Sequence, residues 1–165
     1  MLEQQVEILV INAWANKKFR ESLKESYNDL KLVATPYGNF QELVYHLFGA
    51  IYFWMKRTGY ADFEIKPLKD IQSTEEMFQT WELVDQKFLQ VIQKMKSSNF
   101  GSDHTFKYKT AKGDELEITI EHMVLQLNNH SYYHRGQIAY IVRTQNKKPM
   151  PQTDAAVYFR ENKIK

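Results

Sequence analysis

Cysteine is absent from this 165-residue chain. Disulfide scaffolds, thiolate metal sites and cysteine nucleophiles are therefore excluded, and a metal site would have to be assembled from His, Asp or Glu. Glycine and proline are scarce, six and four in all, so long stretches run without a breaking residue. Charge of one sign is scarce as well. The formal net charge is +2, and no segment gathers the basic residues that an electrostatic nucleic-acid footprint needs. No run approaches the ~18 apolar residues of a membrane span. The opening stretch MLEQQVEILVINAWANKK carries acid early and base late, the reverse of a secretory signal. The expectation is a soluble cytoplasmic protein with neither nucleic acid nor membrane as a partner.

What is present reads as one globular domain over residues 1–165. Hydrophobic residues make up 43% and charged residues 25%, an ordinary balance for a chain long enough to bury its own core. Ten Tyr, ten Phe and three Trp require a core or an interface that accommodates many rings.

Hydrophobic spacing predicts four long helices. Leu2, Val6, Leu9, Val10, Ala13, Phe19 and Leu23 recur at helical intervals, which predicts a first helix over about 2–27. TPYGN then breaks it at Pro36 and Gly38. Asn39 followed by Glu42 has the spacing of a capping box and opens a second helix running to about Arg57, with a stop at Gly59. Ser73 and Glu76 repeat the box ahead of Met77, Phe78, Trp81, Val84, Phe88, Val91, Ile92 and Met95, the clearest amphipathic helix in the chain. TFKYKTAKGDELEIT alternates around Lys-Gly-Asp and predicts a short β-hairpin. A fourth helix covers about 119–145 and ends before Pro149 and Pro151, and QTDAAVYFRENK adds a short C-terminal helix capped by Thr153. The expected fold is therefore all-α: an up-down four-helix bundle with a hairpin between helices 3 and 4 and a short helix at the end.

The stretch NNHSYYHRGQ places His130 and His134 one helical turn apart. On a wheel they fall within about 80° of Ile120, Met123, Leu127, Ile138 and Ile141, so they interrupt the apolar stripe. Two buried imidazoles cost roughly 1–3 kcal/mol for each unsatisfied group, and a metal ion is one way to satisfy them. The second helix offers one inward histidine, His46, between Leu43 and Ala50. His46, His130 and His134 would supply three nitrogen ligands and leave a coordination position open. An ordinary reference pKa near ~6.5 would place proton competition for such a site between about pH 7 and pH 5. Arg135 and Gln137 flank the pair and could orient its ligands, or could be exposed flank residues. His104 and His122 read as ordinary residues, and for Asn12, Trp14 and Asn16 helix packing and surface placement outweigh a pocket role. Gly136 costs about 1 kcal/mol relative to Ala inside a helix, for which close helix approach is a reasonable motive.

NNHSYYHRGQIAYIVR resembles the C-terminal metal motif of the DinB family of bacterial four-helix-bundle proteins, commonly H-x₃-H-R-G-Q. WANKKF, ELVYHLFGAIYFW and MPQTDAAVYFRE follow the family's order along nearly the whole chain. The resemblance implies a DinB/YfiT-like bundle that often dimerises and holds a divalent metal, zinc or nickel, on three histidines. The family's first ligand falls on His46 and its paired ligands on His130 and His134. The wider superfamily includes bacillithiol transferases and mycothiol-dependent isomerases. The functions implied are a metal-dependent hydrolase, or a transferase working on a low-molecular-weight thiol, with metal-bound water or thiolate as the reacting group. The alternatives are a non-enzymatic, dimeric stress-response module that binds metal or a small ligand, and a metal that merely clamps two helices. A second helix that is apolar almost all round, with Val44, Tyr45, Phe48, Ile51, Tyr52 and Met55 outside the His46 stripe, further suggests that part of this helix, or a neighbour it covers, lies in a homodimer interface.

Overall fold

The computed structural model describes residues 2–59, 61–98, 101, 103–110 and 112–162. Helix α1 (Glu3–Leu23) leads into one short helical turn, α2 (Tyr27–Leu30). Two small strands, β1 (Ala34–Thr35) and β2 (Gly38–Asn39), precede α3 (Phe40–Arg57). Helix α4 (Thr74–Ser97) is followed by the hairpin of β3 (Thr105–Lys109) and β4 (Glu115–Thr119), then by α5 (Ile120–Asn146) and α6 (Ala155–Glu161). Helices α1, α3, α4 and α5 form a four-helix bundle. Helices α1 and α3 each pack against both α4 and α5. The links from α1 to α3 and from α4 to α5 therefore cross the bundle diagonally, a detail that hydrophobic periodicity does not carry.

Local chemistry accounts for the ends of these helices. Asn39 accepts from the Glu42 backbone N–H at 2.9 Å while the Glu42 carboxylate accepts from the Asn39 N–H at 2.7 Å, a complete capping box. Helix α3 stops at Thr58, and Gly59 follows with φ 75°, the left-handed residue common after a helix end. At α4 only half of the expected box forms. Ser73 accepts from the Glu76 N–H, but Glu76 turns its carboxylate to the Gln72 N–H and to Lys66.

The first helix is shorter than its periodicity predicts. It ends at Leu23, where the Ser26 N–H turns back to the Leu23 carbonyl. Phe19, Leu23, Tyr27 and Leu30 are all buried, so the three-and-four spacing continues through the bend and conceals it. The C-terminal helix also starts later than expected. Asp154, not Thr153, occupies its N-cap position, and the Thr153 carbonyl instead accepts from the Tyr132 hydroxyl.

Trp81 is completely buried at the centre of the bundle and stacks on Phe48 of α3. Much of the apolar girdle of α3 is likewise consumed inside the chain. Val44, Phe48, Ile51, Tyr52 and Met55 are all buried. Phe63 packs edge-on against Tyr52, and the Tyr45 hydroxyl donates to the Lys66 carbonyl at 2.9 Å. The segment before α4 thus covers the Tyr45 and Tyr52 side of α3 within the chain. No helix among the described residues is long and apolar enough to cross a membrane.

Candidate metal centre

Helix α3 packs along α5, and this pairing turns His46 toward His130 and His134. Leu43 and Leu47 beside His46, and Leu127 and Ile138 on either side of the α5 pair, are buried. The apolar stripes that bury themselves therefore aim the imidazoles inward as well. The Nε2 atoms of His46 and His130 lie 3.1 Å apart, and ligand atoms of all three residues lie within 4.8 Å of one another. His134 is buried at 2% exposure, whereas His46 and His130 are partly open.

The electrostatics favour neutral rings. Burial lowers the pKa of His46, with the neighbouring His134 adding to the effect. Burial also lowers His134, partly offset by its hydrogen bond to Gln137. His130 falls furthest, to about 4, first through burial and then through the charges that His134 and His46 would carry. Neutral imidazole is the form that ligates a metal. The tautomer of His134 is fixed too. Gln137 Oε1 lies 2.7 Å from His134 Nδ1, and an amide oxygen only accepts, so Nδ1 carries the hydrogen and Nε2 keeps its lone pair.

These features fit a metal ion. Two nitrogens held at about 2.0–2.1 Å and at tetrahedral angles stand roughly 3.3–3.4 Å apart, close to the His46–His130 separation. Nδ1 of His130, the ring's other nitrogen, is buried without a hydrogen-bond partner among the described residues and takes no part in this fit. The DinB family model matches residues 1–162. The chain belongs to the DinB family. No curated protein and no solved structure is matched by the chain.

This DinB chain surrounds the three histidines with residues that motif reading missed. Tyr37, at the tip of the β1–β2 turn, stacks on His46 at 4.7 Å between centroids and meets His134 edge-on at 5.0 Å. Gly38 makes that placement feasible. Its φ is 101°, and a Cβ there would stand 1.8 Å from the Glu42 carboxylate of the capping box. TPYGN signalled a turn, but nothing in its spacing indicated that the turn's aromatic residue folds back over an imidazole. Tyr133 of α5 packs edge-on against His134 from another side. The cluster itself contains no carboxylate among the described residues.

Of the two flanking residues, Gln137 reaches the centre and Arg135 turns away from it. Arg135 is 2% exposed and donates through Nη1 to Asn12 Oδ1 at 2.7 Å and Asn16 Oδ1 at 2.6 Å, both on α1. Asn16 donates onward to Asp85 Oδ1 of α4 at 2.8 Å, and Arg20 donates to Asp85 Oδ2 at 2.6 Å. Burial pushes the Asp85 carboxyl up to about 6 against the pull of Arg20, Asn16 and Arg135, and pushes Arg135 down to about 10. Asn12 and Asn16 are thus buried and hydrogen-bonded, not on the surface. Asp85 lies four residues after Trp81 and three before Phe88, so its spacing already placed it on the inward stripe of α4.

The remaining histidines stand apart. His122 is exposed at the start of α5, where its backbone N–H donates to Thr119. His104 lies beside β3 with its ring against Phe106. Trp14 packs edge-on against Tyr158, joining α1 to α6.

Proposed function

We propose that His46, His130 and His134 hold one divalent cation, zinc or nickel, with a coordination position left open, and that the centre is enzymatic. The reaction classes are metal-dependent hydrolysis and thiol-dependent transfer, and transfer has the better support. The carrying observation is the convergence of three neutral imidazole nitrogens, two of them on partly open rings, in a cluster that holds no carboxylate among the described residues. When bound, the ion supplies Lewis acidity to a substrate oxygen or sulfur. The protein's own residues do the rest. Gln137 fixes the tautomer of His134, and the Tyr37 and Tyr133 rings shield its imidazole from solvent. Hydrolysis needs a group to take a proton from water, and among the described residues no carboxylate stands in the cluster to do so. A low-molecular-weight thiol that reacts as its thiolate brings its own nucleophile and does not need that base.

Metal analysis of the purified chain, followed by an activity screen of the loaded protein with and without low-molecular-weight thiols, tests the reading. The expected outcome is one ion per chain and turnover of an electrophilic substrate only when a thiol is supplied. Turnover of esters or amides without thiol would assign hydrolysis instead, and a chain that takes up no divalent ion would overturn both.

A further inference from the structure

Gly136 lies in the interior of α5, and a Cβ built on it meets nothing within 4 Å. Close approach of another helix, the usual motive for a mid-helix glycine, does not apply here. The bare backbone instead forms part of a groove. Tyr133 stands one turn before Gly136 and Tyr140 one turn after it, 62% and 70% exposed. With Pro36 and Leu43 they help enclose about 520 Å³ of concave space. Among the described residues no charged one lines the groove, and Thr35 and Gln137 supply its polar side chains apart from the two tyrosine hydroxyls.

The groove shares residues with the surroundings of His134 and lies one residue from the ring that covers His46. Gln137 lines it and also bonds to His134 Nδ1, and Tyr133 lines it and also packs on the His134 ring. Pro36 lines it next to Tyr37, whose ring stacks on His46. We propose that this groove is the substrate pocket of the centre and takes a flat, uncharged apolar group, such as an aromatic ring, joined to a polar head that reaches the histidines. The proposal rests on the metal-site reading above and adds the class of substrate. Its volume is within the range of roughly 300–1,000 Å³ usual for small-molecule sites. Tyrosine rings flanking a glycine floor offer faces and edges against which another ring packs. A charged substituent would lose its hydration there without gaining a partner. The absent side chain at Gly136 is what keeps the space open.

Acetohydroxamate and benzohydroxamate carry the same metal-binding head, without and with a ring, and isolate the contribution of the groove. Their binding to the metal-loaded full chain would be measured by calorimetry. The expected result is that benzohydroxamate binds roughly tenfold tighter or more. Gly136→Leu should erase that advantage while leaving metal content and acetohydroxamate binding as they were. Leucine is a strong helix former and nothing crowds the position, so the variant should fold. Tyr140→Ala, which removes one wall, should reduce the advantage in part. Equal affinities in the unaltered protein would overturn the proposal, and a second copy of the chain filling the groove would give that result. A ring advantage that survives Gly136→Leu would overturn it as well. Failure of the metal reading looks different: no ion is taken up, neither hydroxamate binds, and both proposals fall.

Discussion

The Nε2 atoms of His46 and His130 stand 3.1 Å apart across 84 residues of sequence. The α3–α5 packing alone brings them together, so each imidazole depends on a helix that the other does not share. Replacing His46, His130 or His134 with Ala removes one of the three proposed ligands and is expected to abolish tight metal binding. His104→Ala and His122→Ala should leave it intact. Gln137→Ala should weaken it by ~10–100-fold through loss of the bond that orients His134. Metal content after dialysis and competition with a chelating dye would check the series. Full occupancy in His46→Ala would show that the α5 pair finds its third ligand elsewhere.

Acid should act on the site at a lower pH than the sequence suggests. A free imidazole titrates near ~6.5, but burial lowers all three here and brings His130 to about 4. Protons therefore compete poorly with the metal at pH 7, and affinity should decline only below the ordinary histidine range. The sign for the metal-free protein follows from the same depression. Between about 6.5 and about 4 the unfolded chain binds protons that the folded chain refuses. Stability is therefore full above that window and falls as pH drops through it. Metal titrations and denaturant unfolding at pH 7, 6, 5 and 4 would read both trends. A site already half-emptied of metal at pH 7 would contradict them.

Asp85→Ala should destabilise the fold strongly while leaving the histidines untouched. Asp85 accepts from Arg20 and Asn16 in a buried setting, and Arg135 joins the same chain of bonds. Removing the carboxylate breaks the buried pair with Arg20, which keeps only Glu82 at 3.9 Å, and takes an opposite charge away from Arg135, a loss of about 3–5 kcal/mol for a broken buried pair. Urea unfolding of the metal-free variant would measure it. A change under 1 kcal/mol would mean that water reaches the guanidinium groups.

Gly38→Ala tests the Tyr37 turn. The residue has φ 101°, and its added methyl would meet the Glu42 carboxylate. The substitution should cost about 1–3 kcal/mol, disrupt the α3 cap and displace Tyr37 from His46. A lower melting temperature and increased tyrosine accessibility would be expected together. An unchanged melting temperature would show that the turn relaxes at no cost.

The four helices and the hairpin were legible because each depends on local spacing: turn residues, capping boxes and apolar stripes, whereas the DinB membership was legible from the resemblance of NNHSYYHRGQIAYIVR to the family's motif. The same stripes turned His46, His130 and His134 inward. The bend after Leu23 was not legible, since Leu23, Tyr27 and Leu30 keep the helical interval across it. Nor were the partners of Arg135. Adjacent residues on a helix point about 100° apart, so His134 and Arg135 serve different neighbours, and only the ring order of the bundle says which. The apolar girdle of α3 illustrates the converse: the residues were read correctly as apolar, but the segment before α4 that covers them could not be located from periodicity.

Helix α5 is held from two sides. Its His134 faces α3, while the next residue, Arg135, is bonded to two asparagines of α1. A helix fastened in this way has little freedom to roll about its own axis, so the imidazoles are aimed before any ion arrives. Metal uptake should then resemble a key entering a cut lock more than a splint setting a loose joint. Helical circular dichroism should barely change on loading, and the free energy of binding would remain with the ion instead of being spent on folding the chain.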